Sequence, residues 1–115
     1  MAEQCIFCGI VAGRIPATVV HSTDDVLVFR DIDPKAPTHL LVIPRRHISA
    51  VDALEEGDVE VAGRLFLAAK EAARSTGIAQ SGYRLVVNNG ADAGQAVDHI
   101  HVHVLGGRKL HWPPG

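Results

Sequence analysis

The chain has 115 residues, of which 47% are apolar and 21% charged, with a formal net charge of −2. That supplies one hydrophobic core and too little for two, so a single domain over 1–115 is expected, and the charge balance excludes a disordered acidic tail. Nucleic-acid binding is excluded on the same ground, because Arg45, Arg46, Arg84, Arg108 and Lys109 form no continuous stripe and aromatic residues are only 4%.

The first four residues carry neither a basic segment nor an apolar run, and no later run approaches the roughly 18 residues that cross a bilayer. No membrane partner is expected, and the expected location is cytoplasmic. Ile6, Phe7, Ile10 and Val11 recur at helical spacing, and Gly13 can close that short helix in a left-handed conformation. Residues 26–31 read as a strand, ended by a rigid turn through Pro34 and Pro37. The next strand, 39–43, stops at Pro44. Residues 54–75 read as one long helix with Ala62, Leu65, Phe66, Ala69 and Ala73 on its apolar stripe. Acidic residues lie early in it, Lys70 and Arg74 late, and Gly77 stops it. Two further strands, 83–88 and 99–105, are joined by residues 89–98, a connection long enough to suggest function. Several strands around one long helix predict an α+β fold with a mainly antiparallel sheet.

Alternate side chains of a strand share a face, so His99, His101 and His103 are expected to project together, about 7 Å apart, with Ile100, Val102 and Val104 facing the opposite way. Cys5 and Cys8 stand at the spacing of zinc ligands, and His47 and His99 are candidate partners for a closed, structural Cys₂His₂ shell. Two buried free cysteines are the alternative. A thioredoxin-like redox pair fits less well, because no strand precedes Cys5. With His99 on zinc, His101 and His103 remain, and a neutral imidazole is well suited to attack phosphorus. A different arrangement, all three histidines on one catalytic ion, leaves Cys5, Cys8 and His47 without a role.

The run from His99 to Leu105 resembles the motif of the histidine-triad (HIT) family. The resemblance extends through Cys5 and Cys8, Ile15 and Pro16, the segments 29–32 and 36–44, His47, Asn88, Gly94 and Gln95, and the tail 105–115. That tail, with His111, Trp112, Pro113, Pro114 and Gly115, is similar to the Hint branch of purine nucleoside phosphoramidases. The resemblance implies a HIT fold and hydrolysis of adenosine 5′-phosphoramidates or acyl adenylates through a nucleotidyl-histidine intermediate. It makes His101 the nucleophile, places His103 on the phosphate and sets His39 behind them. Asp31 would take the ribose hydroxyls, while Ile15, Phe29 and Ile32 form the purine slot. Asn88, Gly94 and the backbone of Gln95, Ala96 and Val97 would face the phosphate. Zinc would be held by Cys5, Cys8, His47 and His99, and a two-fold homodimer would bring Trp112 toward the partner's site. Ala96 stands where the branch often has a serine near the leaving group, and Asp98 where an aromatic residue is common, so a nucleotide-binding regulator with little turnover is the other reading.

Overall fold

A computed structural model describes residues 4–115 of the chain. Helix α1, Ile6–Val11, is followed by strands β1, Val19–Ser22, β2, Val26–Arg30, and β3, Thr38–Pro44. After short 3₁₀ turns at Val51–Ala53 and Glu56–Asp58 comes helix α2, Val59–Ser75. Strand β4, Tyr83–Val87, and strand β5, Val102–Gly106, complete the regular structure of the described residues, separated by a loop with a 3₁₀ turn at Ala91–Ala93. The strands form one five-stranded sheet in the order β1-β2-β3-β5-β4, with every pair antiparallel. The expected α+β architecture is what the chain adopts. No helix among the described residues is long and apolar enough to cross a membrane.

The period of two along each strand divides the core between the two faces of the sheet. Val26, Val28, Leu40, Val42, Val102 and Val104 pack against Leu65, Ala68, Ala69, Ala72 and Ala73 of α2. On the opposite face Leu27, Phe29, Leu41 and Ile43 pack with Phe7 of α1. The register places Phe29 opposite Leu41 and Leu41 opposite His103, so one row on that second face changes from apolar to imidazole.

The structure differs from the sequence expectation in four places. Strand β1, Val19–Ser22, is not among the expected strands, because this short edge strand is exposed at both ends and carries no sustained apolar pattern. Helix α2 begins at Val59 rather than at residue 54, because Glu55 and Asp58 close a reciprocal capping box around the preceding 3₁₀ turn. Its buried stripe is carried by four alanines and Leu65, while Phe66 is 53% exposed. Small side chains let the helix approach the sheet, and Phe66, one residue past Leu65, is rotated off that stripe by roughly 100°. Strand β5 begins at Val102, not His99. Ile100 donates its backbone N–H to the Ile48 carbonyl at 2.6 Å, outside the β3 ladder. The run 99–101 therefore lies across the entry to β5, and its histidine rings are not bound to one strand face.

Candidate active site

The tautomers of the central histidines follow from their backbone partners. His101 lies 2.7 Å through Nδ1 from the His99 carbonyl. A carbonyl only accepts, so Nδ1 carries the proton and Nε2 keeps its lone pair free. His39 accepts the Lys35 backbone N–H at Nδ1, 3.0 Å away, so its own proton lies on Nε2. That Nε2–H donates to His103 Nδ1 at 2.9 Å, which leaves His103 with a proton on Nε2. The adjacent rings of His101 and His103, 5.0 Å apart, therefore offer one lone pair and one N–H donor. Burial pushes His39 below the ordinary imidazole range against the pull of Asp31. Burial and then the neighbouring His101 and His39 hold His103 down at about 4, so it is a neutral donor at pH 7.

His101 and His103 form one end of a cleft of about 330 Å³. Of the residues expected at a nucleotide, Ile15, Phe29, Asp31, Ile32, Ala96 and Val97 line it with them. Ile32 stands at the rim, 99% exposed, and Phe29 forms part of the buried floor. Asp31 accepts the Asp33 backbone N–H at 2.8 Å through Oδ1 and holds Oδ2 3.4 Å from His39 Nε2. His39 itself lies behind His103 and does not line the cleft. Asn88, Gly94, Gln95 and Trp112 are also absent from the lining. Gln95 instead braces the loop: its Oε1 accepts the Gly90 N–H, and its Nε2 donates to the Ser49 and Val97 carbonyls. Gly94 caps the 3₁₀ turn at a φ of 80°, in the left-handed region that glycine occupies without a side-chain clash. Trp112 is 81% exposed and stacks near Arg84 of β4, 6.0 Å from ring centre to guanidinium carbon.

Sequence reasoning missed the α1 wall of this cleft, made by Ile6, Phe7 and Ile10. Their helical spacing read as an ordinary core stripe. Phe7, between the two cysteines, sets its ring edge against His99 and His101 at centroid distances of 5.9 and 5.2 Å. The backbone groups of His99 and Lys35 that fix the tautomers leave no trace in side-chain identity.

On the other side of Phe7, Cys5, Cys8, His47 and His99 bring four ligand atoms within 4.8 Å of one another. His47 and His99 both point Nδ1 inward, 3.2 Å apart. Cys8 Sγ lies 3.3 Å from His47 Nδ1 and 3.6 Å from that of His99, while Cys5 Sγ is 3.4 Å from His99 Nδ1. Tetrahedral zinc with its usual bond lengths has ligand–ligand edges of about 3.3–3.8 Å, so the four residues fit the ion. His99 Nε2 donates to the Pro44 carbonyl at 2.8 Å, the outer-shell bond that presents Nδ1 to a metal. Burial, with the Cys5 thiol beside it, pushes the Cys8 thiol up, an effect that a bound cation would reverse.

The HIT domain model matches residues 12–110. The chain belongs to the HIT family. It is 46% identical over 115 residues, the full length of both proteins, to an uncharacterised HIT-like protein of Synechocystis sp.. To a 14 kDa zinc-binding protein of Zea mays it is 46% identical over 112 residues, 96% of this chain and 87% of that one. A HIT family hydrolase from Legionella pneumophila superposes with a TM-score of 0.94 at 49% identity, covering 96% of this chain and 99% of the other. A histidine triad protein from Clostridium difficile superposes at 0.91 with 38% identity and 94% coverage of each chain. In this HIT domain the triad is divided between two sites. His99 faces the cysteines, whereas His103 groups with Asp31 and His39. The three rings do not converge on one ion, and the proton on His39 Nε2 disfavours a metal in the second group.

Proposed function

We propose that this HIT protein cleaves purine nucleoside 5′-phosphoramidates or acyl adenylates by nucleotidyl transfer to His101. The observation that carries this reading is the bond from His101 Nδ1 to the His99 carbonyl, which leaves Nε2 as the nucleophilic atom facing a nucleotide-sized cleft. The Nε2 lone pair forms a bond to phosphorus as the bond to the leaving group breaks. An amine departs with the electron pair and takes a proton from solvent, while a carboxylate needs none. The His103 Nε2–H donates to a phosphoryl oxygen, where charge accumulates in the transition state. Water then attacks the phosphorus and gives up a proton to solvent, Nε2 regains its lone pair, and the nucleoside monophosphate leaves. Ile6, Phe7, Ile10, Ile15 and Phe29 enclose the base, and Asp31 at the rim accepts from the ribose diol. Zinc at Cys5, Cys8, His47 and His99 would be closed and structural, supplying a crosslink and no open coordination position.

The test is release of adenosine monophosphate from an adenosine 5′-phosphoramidate in excess chelator. The native protein turns over, and His101→Ala loses activity by on the order of 10³-fold or more. Equal activity in the two proteins contradicts the reading. One observation favours a second function, a nucleotide-binding regulator with little turnover: Ala96 brings no hydroxyl to the cleft. Tight nucleotide binding with no turnover by the native protein would decide for it.

A further inference from the structure

The two sites share one short helix and one peptide unit. Helix α1 is six residues long, far below the roughly 12–15 at which an isolated helix holds itself together in water. It has no acidic residue in its first turn and no basic residue in its last, and the Cys5 sulfur caps it by accepting the Cys8 N–H. One side of it carries Cys5 and Cys8; the other carries Ile6, Phe7 and Ile10 of the cleft wall. A fourth wall residue depends on it as well. Gly9 approaches Ile15 so closely that an added Cβ would lie 2.6 Å from Ile15 Cδ1. On the strand side, His99 offers its ring to the cysteines and its carbonyl to His101 Nδ1, so the residue that completes the metal site also fixes the nucleophile's tautomer. Strands β2, β3 and β5, by contrast, are held by their own ladders and by α2; they supply no ligand to the cluster, and β3 reaches it only through the Pro44 carbonyl at its end, which accepts from His99 Nε2.

We infer that a thiophilic divalent cation at Cys5, Cys8, His47 and His99 sets the shape of the purine cleft through α1, so that metal and purine nucleotide bind cooperatively. The inference rests on the proposed nucleotide cleft. It makes Cys5, Cys8 and His47 positioning residues for the nucleotide, although none of them touches the nucleophile. The link is local: without the cation, α1 and the 99–101 run loosen while the sheet stays intact.

Thermodynamic reciprocity provides a test that simple scaffolding does not pass. Calorimetric binding of adenosine monophosphate is measured on the zinc-loaded protein, on the same protein stripped by chelator, and on Cys8→Ser. Zinc affinity is measured by competition with a metal indicator, with and without saturating nucleotide. Stripping is expected to weaken nucleotide binding roughly tenfold, and saturating nucleotide to tighten zinc by the same factor. Hydrogen exchange is expected to rise in residues 6–11 and 99–101 and to stay slow in β2, β3 and β5. Cys8→Ser should show the weakened nucleotide affinity whether or not zinc is added. Nucleotide affinity indifferent to zinc overturns the inference, and so does loss of protection across the whole sheet, since the metal would then hold the entire fold. If the zinc-loaded protein binds no purine nucleotide, the proposed function falls, and the coupling with it.

Discussion

His103 shows how burial decides a residue's chemistry. Held at about 4 by burial and its imidazole neighbours, it stays a neutral Nε2–H donor across the physiological range. Protonation leaves that Nε2–H in place; what is lost as pH falls through about 4 is the Nδ1 lone pair that accepts from His39. The stability effect has the same direction over a wider window. An unfolded histidine titrates near about 6.5, so from there down to about pH 4 the unfolded chain binds protons that buried His39 and His103 refuse. Urea midpoints measured in chelator, so that metal loss does not contribute, should fall steadily between about pH 6.5 and 4.5; a flat profile would contradict the assignment. At Ala96 the side chain in the cleft ends in a methyl group. Ala96→Ser should raise kcat for a phosphoramidate by about ten- to a hundredfold if the new hydroxyl reaches the leaving group, as a hydrogen bond worth on the order of 1–3 kcal/mol implies. An unchanged kcat would place the leaving group elsewhere.

At the scale of elements, the sheet was the most legible part of the chain. Residues 26–30 and 38–44 are near-continuous apolar runs because both faces of β2 and β3 are covered, one by α2 and one by α1. The beginning of β5 was not legible. Its alternation of histidine with apolar residues continues back to His99, but the Ile100 bond to Ile48 and the pull of His99 toward the cysteines remove 99–101 from the ladder. Phe66 was misplaced for a related reason: an alanine-rich stripe gives a weak apolar signal, and a phenylalanine beside it dominates any reading of the helix face. Strand β4 raises a further point. It closes the sheet at one end, its outer edge has no strand partner among the described residues, and all five of its residues are half-buried. An edge of this kind is a template for pairing, and the two-fold dimer implied by the resemblance would use it to continue the sheet. Arg84→Pro removes a backbone donor from β4 and should shift a dimer toward monomer in light scattering. A native protein that is monomeric at micromolar concentration would sink the proposal.

For the molecule as a whole, the residue types of the site were legible and their division of labour only partly so. Cysteine spacing pointed to half of a candidate metal cluster, and the structure brings two inward Nδ1 atoms to it in a geometry compatible with zinc. The tautomer chain from Lys35 through His39 to His103 depends on a backbone N–H and on a register between β3 and β5, neither of which a residue string displays. The molecule sets a largely apolar cleft beside a pair of imidazoles, one with a free Nε2 lone pair and the other with an Nε2–H, the pairing that the proposed nucleotidyl transfer requires. That arrangement is tested most directly by acid-free rapid quench of the native protein with excess adenosine 5′-phosphoramidate, followed by digestion and mass spectrometry. An acid-labile adenylyl group is expected on His101, formed no more slowly than steady turnover and absent from His101→Ala. Steady turnover with no adduct, or with the adduct on another residue, would contradict it.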